Sequence, residues 1–265
     1  MRTPTVPDPQ PLTMGRLTAL VIGVPLCLAV IGWGALNAVA LVSSDSFQIH
    51  RDLAPTGSQV TVSVNAGDLT LTPSPDGQVH LSGVARYGLV RPTVAITTTG
   101  AGVSISADCS WFLVDQCSVD LAVAVPSGIA VDASTDSGDI TASNLGNLTL
   151  AADSGGVQVN GGSGILHLTT DSGDITALAT SADTVDASAD SGEVTLSFAQ
   201  AASSVTVQDD SGNVVLTLPV DGPTYAVDAH SDSGNVSIGV PTDPTSAHSV
   251  SISVDSGNVS VEPGD

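Results

Sequence analysis

The sequence predicts an all-β fold, a single-stranded parallel β-helix or solenoid of right-handed sense, preceded by one transmembrane helix. Three observations predict it. The tripeptide Asp-Ser-Gly occurs seven times, starting at Asp136, Asp153, Asp171, Asp190, Asp210, Asp232 and Asp255, at spacings of 17, 18, 19, 20, 22 and 23 residues. Around every copy, aliphatic residues stand at four fixed distances with period 2. Near the N-terminus, a run of 26 residues carries no charge. Units this short cannot bury a hydrophobic face alone, so they must stack and share one core.

Taken in chain order, residues 1–16 read as a short Pro-rich tail on the cytoplasmic side and residues 17–42 as a signal-anchor. The uncharged run from Leu17 to Val42 exceeds the roughly 20 residues needed to cross a bilayer. Arg2 and Arg16 precede it and Asp45 follows, so the positive-inside rule places the C-terminal domain outside a single-pass cell-membrane anchor. A cleaved signal peptide is the alternative, with Ala38-Val39-Ala40 as a small-x-small cleavage site. Either reading exports the rest of the chain. Residues 43–58 are read as linker and domain start, and 59–262 as the solenoid.

The first stretch of the solenoid is the least regular. The segment VTVSVNAGDLTL sets Val60, Val62, Leu69 and Leu71 around Asn65-Ala66-Gly67-Asp68, as a degenerate copy of the later unit. Residues 72–130 give further period-2 runs without the tag, expected to form early coils. Within them Cys109 and Cys117 bracket a loop holding Trp111 and Phe112. In an oxidising compartment a disulfide is expected there. A metal pair is the weaker alternative, since no His is near.

The tagged units follow one template. Counted from the Asp, position −5 holds Val131, Leu148, Leu166, Val185, Val205, Val227 and Val250, and position −3 holds Ala133, Leu150, Leu168, Ala187, Val207, Ala229 and Ile252. Position +4 holds Ile140, Val157, Ile175, Val194, Val214, Val236 and Val259. Position +6 holds Ala142, Val159, Ala177, Leu196, Leu216, Ile238 and Val261. Each unit is therefore strand, corner, strand, with one face inward. The connections between units hold 5, 6, 7, 8, 10 and 11 residues. Coils stacked in sequence order would thus have one constant edge and one edge that flares toward the C-terminus. The last coil, from Val250, would then be a dispensable end.

Asp-Ser-Gly has a local explanation: Asp can accept a hydrogen bond from the backbone two residues on, and Gly turns at little cost. In six of the seven copies the residue after it is Asp139, Asp174, Glu193, Asn213, Asn235 or Asn258, and the Asn suit an amide ladder. Seven Asp about 4.8 Å apart would repel. Ca²⁺ between Asp136, Asp153, Asp171, Asp190, Asp210, Asp232 and Asp255 is the cofactor alternative to plain turn formation.

Charge narrows the partners. The chain has 27 acidic and 5 basic residues, a formal net charge of −22, and no Lys or Arg after Arg91. Nucleic acid is excluded as a partner, because such a surface repels a phosphate backbone. The five His (His50, His80, His167, His230, His248) are scattered, and no nucleophile, phosphate loop or convergent acid–base pair stands out. No catalytic or cofactor-binding residues are assigned, and the chain is not expected to be an enzyme.

A signal-anchor, then VTVSVNAGDLTL, then VAVPSG at 123–128, then repeated DSG(D/N)(V/I) units together resemble the bacterial adhesin-type domain family of unknown function called toastrack. The resemblance covers about residues 46–262. It implies a β-helix at the cell surface, with some members tied to envelope-stress signalling, and it supplies no catalytic residues. The expected function is a membrane-anchored surface module that binds an envelope or extracellular protein or glycan, or has a structural role there. The alternative is an envelope-stress regulator acting through a membrane partner, since a 16-residue tail holds no signalling domain.

Overall fold

The computed structural model describes residues 24–34, 45–55, 57–109 and 117–264. Helix α1 spans 24–34, with Leu26, Leu28, Val30 and Ile31 exposed. The rest of the predicted anchor, 17–23 and 35–42, lies outside the described residues, as does the tail. Among the described residues no helix is long and apolar enough to cross a membrane.

Among the described residues everything after α1 is strand, corner and loop. The N-terminal strands are β1 (Asp45–Leu53), β2 (Gln59–Ala66), β3 (Leu69–Ser74), β4 (Val79–Tyr87), β5 (Thr93–Thr98), β6 (Gly102–Asp108) and β7 (Ser118–Pro126). The tagged units supply β8 (Ala130–Ser137), β9 (Ile140–Ser143), β10 (Gly146–Ser154), β11 (Val157–Asn160), β12 (Ser163–Ser172), β13 (Ile175–Ser191) and β14 (Val194–Phe198). Then come β15 (Ser204–Ser211), β16 (Val214–Leu218), β17 (Ala226–Ser233), β18 (Val236–Ile238), β19 (Ser249–Ser256) and β20 (Val259–Pro263).

Each coil gives one strand to each of two sheets whose inner faces share a core of Val, Leu, Ile and Ala. The four aliphatic slots are buried in every tagged coil but one, and in β2 and β3 as well. A fifth inward slot, at −1, holds Thr135, Ala152, Thr170, Ala189, Asp209 and Val254, all buried.

The coils do not stack in sequence order. One sheet runs β5–β6–β2–β8–β10–β12–β13–β15–β19–β17. The other runs β1–β4–β7–β3–β9–β11–β13–β14–β16–β20–β18. The coil of β19 and β20 is thus inserted between that of β15 and β16 and that of β17 and β18. This corrects the expectation of a dispensable last coil: the chain's final unit is internal, and the Asp232 unit ends the stack. Likewise β2 and β3 sit between β6 and β7 and the first tagged coil, not at the start of the pile.

The long connections now have a cause. The 10-residue link after Leu216 must step over a rung still to be filled, and the 11-residue link after Ile238 must step back. One skipped rung adds about 4.8 Å of travel along the stack. Residues 72–130 also differ from expectation, because β4 and β5 are not coils. They and β1 pair antiparallel and close the N-terminal end as a cap.

Candidate functional site

The constant corner is where the predicted site residues lie. The seven Ser of the tag pair in register across the stack, in the order Ser137, Ser154, Ser172, Ser191, Ser211, Ser256, Ser233. The seven Asp therefore form one exposed column in the same order. The expected Asx bond is not what makes the corner. Among the described residues, the carboxylates of Asp153, Asp171, Asp190, Asp210 and Asp255 take no hydrogen bond, while Asp136 accepts one from Asn65 Nδ2 at 2.8 Å and Asp232 pairs with His230 Nε2 at 2.7 Å.

Bonds between rungs make it. Except at Gly234 on the last rung, the Gly N–H of each tagged corner donates to the Ser carbonyl of its neighbour, as Gly155 to Ser172 at 3.1 Å, Gly212 to Ser256 at 3.1 Å and Gly257 to Ser233 at 3.1 Å. The glycines themselves stack so closely that a Cβ on Gly155 or Gly173 would overlap the carbonyl of the Gly before it. Gly138 also has φ of 135°, open to Gly at little cost. So Gly is demanded by rung-to-rung approach more than by the turn.

The residue after the tag carries a second ladder, which the sequence reading placed only at the Asn. Its side-chain oxygen accepts the backbone N–H of the next rung: Asp68 Oδ1 from Asp139 at 3.1 Å, Asp139 from Gly156 at 2.8 Å, and Asp174 from Glu193 at 2.8 Å. Asn213 accepts from Asn258 at 3.0 Å and Asn258 from Asn235 at 3.1 Å. The amide ladder exists, in the order Asn213, Asn258, Asn235, and is tightened by Asn258 Nδ2 donating to Asn213 Oδ1 at 3.1 Å.

Cys109 and Cys117 form a disulfide, Cα–Cα 5.8 Å. It joins the end of β6 to the start of β7, where other coils carry the tag. Trp111 and Phe112 of its loop lie outside the described residues. No group of three or more His, Cys, Asp and Glu among the described residues is placed to hold a metal ion.

The remaining titratable groups lie apart. His80 sits between Asp52 at 2.7 Å and Asp76 at 2.8 Å. Those hydrogen bonds raise the imidazole's pKa, and the one from His80 is the largest reason that Asp76 falls to about 2. Arg86 pairs with Asp120 in a shallow groove also lined by Gln48, His50 and Asp68. Burial pushes Asp120 up, but hydrogen bonds from Arg86, the Asp68 N–H and Ser118 outweigh it and hold the carboxyl below its ordinary value. His167 lies 3.6 Å from Asp186, and His248 Nδ1 lies 2.7 Å from the Ala202 carbonyl. These contacts stand on separate rungs and brace neighbouring strands.

The sequence reading missed Asp209. It is buried, its Oδ2 has no partner, and burial raises its pKa. Its signal was there at position −1, where Asp breaks a column of Thr, Ala, Ser and Val. Also missed was the stack's C-terminal end. There Val236 and Ile238 are 40% and 43% exposed, while their equivalents Val259 and Val261 on the next rung are fully buried.

Residues 55–262 match the family described as Toastrack DUF4097. Similar solved structures include a candidate adhesin from Bacteroides fragilis (17% identity, TM-score 0.43, covering 82% of this chain and 97% of that one). Another is a candidate cell adhesion protein from Clostridium sporogenes (12% identity, TM-score 0.37, 83% and 100%). A third, from Parabacteroides distasonis, is described as a candidate lipid binding protein (12% identity, TM-score 0.42, 84% and 97%). No curated protein matches the chain.

Proposed function

The chain belongs to the toastrack DUF4097 family, and from that premise we propose that it is a non-enzymatic surface module, a binding or structural solenoid tethered outside the cell membrane by residues 17–42. The observation that carries this reading is how the polar residues of the stack are used. Corner glycines, tag serines and the residues after the tag hold rung to rung, leaving an extended acidic surface. The uncharged run behind Arg2 and Arg16, ahead of a disulfide-bearing domain, supports export with the N-terminus inside.

Pull-down with the full chain in phosphatidylcholine nanodiscs, against cell-envelope polymers and extracellular proteins, tests the reading. At least one component should be retained through the solenoid. Retention of nothing, or turnover of a glycan or peptide, would count against it. A membrane protein retained through residues 1–42 alone would favour the regulatory alternative instead.

A further inference from the structure

The two ends of the stack are built differently. The N-terminal end is closed by the antiparallel strands β1, β4 and β5. Among the described residues the C-terminal end has no such cap: strand β17 pairs only with β19, and β18 only with β20. Solenoids need a terminal repeat with a polar outer face, and a bare sheet edge invites another strand.

The edge has a definite hydrogen-bonding pattern. Tyr225 N–H donates to Pro241 O at 3.3 Å, and its carbonyl accepts from Asp243 N–H at 2.9 Å, on the side away from β19. Ala226 N–H donates to His248 O at 2.8 Å, toward β19. Alternation along the strand then turns the N–H and C=O of Val227, Ala229 and Ser231 outward, and none has a strand partner among the described residues. The segment 239–248 covers the edge at Tyr225 through a single bridge to Thr242 and stops there. The corner ladder is also left open: each side-chain oxygen from Asn213 to Asn258 accepts the next N–H, and Asn235, on the last rung, has no next N–H to accept.

We propose that this end captures an extended strand of another protein, one alternating aliphatic with Lys or Arg residues, by β-augmentation along β17. Its aliphatic side chains would cover the core slots of Val227, Ala229, Val236 and Ile238, which open onto the tip. Its basic side chains would stand beside Asp228, Asp232 and His230, the exposed residues on the outer face of β17. Cross-strand neighbours of opposite charge stabilise a pair and like charges destabilise it. A second copy of this chain is the poorer occupant, because two-fold pairing of β17 with itself sets Asp228 and Asp232 against their own kind. Main-chain bonds give such capture its affinity and alternate side chains its specificity. The inference rests on the reading of the domain as a binding module and assigns that module a place and a partner chemistry.

The test uses the full chain in phosphatidylcholine nanodiscs and three ten-residue probe peptides: alternating Val and Lys, alternating Val and Glu, and the Val/Lys composition broken by two prolines. The Val/Lys probe should bind at least tenfold more tightly than either control and should slow hydrogen exchange at residues 227, 229 and 231. Ala229→Pro removes an outward N–H that β19 does not use. It should weaken the probe at least tenfold while the melting temperature holds. Asp228→Lys with Asp232→Lys should turn the preference to the Val/Glu probe. Equal binding of the intact and broken Val/Lys probes, binding of neither, or a homodimer abolished by Ala229→Pro would each overturn the proposal. If Ala229→Pro unfolds the tip, the exchange pattern of the unaltered chain decides. An envelope component retained equally by Ala229→Pro would leave the surface-module reading standing and remove this one.

Discussion

Asp209 is the residue at which this fold departs from its own template. At position −1, Thr170 Oγ1 donates to Gly155 O at 3.1 Å and Ser231 Oγ to Gly257 O at 2.7 Å. The equivalent carbonyl beside Asp209 is that of Gly192, and a carboxylate has no proton to give it. Burial pushes the carboxyl's pKa up, against the Ser211 N–H that bonds Oδ1 at 3.1 Å, and the neighbouring Asp210 pushes it up further. A carboxyl with a raised folded pKa contributes stability that is full below its unfolded value of about 3.9 and is lost as pH rises through the folded value. Asp209→Thr should therefore stabilise the domain at pH 7 by about 1–3 kcal/mol, the cost of a buried unpaired polar group. The gain should shrink toward zero near pH 3.5. Denaturant melts at the two pH values measure it, and an equal effect at both would refute the assignment.

At the scale of the element, the four aliphatic slots were legible because period 2 and a rigid tag fix each side chain's face. Val60, Val62, Leu69 and Leu71 were placed correctly even without the tag. The corner was read less well. Asp-Ser-Gly looks like a local Asx turn, and no local rule reveals that its Gly serves a neighbouring rung. The fifth slot escaped notice because Thr, Ala, Asp and Ser do not read as core. Two outcomes follow from a corner held by rung-to-rung bonds. Asn258→Ala, which loses bonds to Asn213 and Asn235, should cost about 1 kcal/mol. Ca²⁺ and a chelator should give the same melting temperature, since the ladder needs no cation. A shift of several degrees with Ca²⁺ would put ions back between the Asp.

For the whole molecule, the order of the coils was hidden in the sequence. Every unit carries the same tag and the same slots, so any unit can stack on any other in register at similar energy. Only the connection lengths differ, and 10 and 11 residues read equally well as a flare or as a skipped rung. The structure chooses the skipped rung, which buries the final unit and exposes the one before it. Val250→Asp should therefore unfold the C-terminal half, since Val250 is 1% exposed, whereas Val227→Asp at the open tip should be tolerated. Circular dichroism melts separate the two, and greater damage from Val227→Asp than from Val250→Asp would argue for sequential stacking. The most direct test is pairwise cross-linking in a Cys27→Ala background, because Ser211, Ser256 and Ser233 are exposed and differ from Cys by one atom. Neighbouring rungs lie about 4.8 Å apart, within the reach of a disulfide, and second neighbours lie beyond its limit of about 7 Å. Ser211→Cys with Ser256→Cys should oxidise readily, and so should Ser256→Cys with Ser233→Cys, while Ser211→Cys with Ser233→Cys should stay reduced. A ready bond between 211 and 233, with none between 211 and 256, would contradict the intercalated stack.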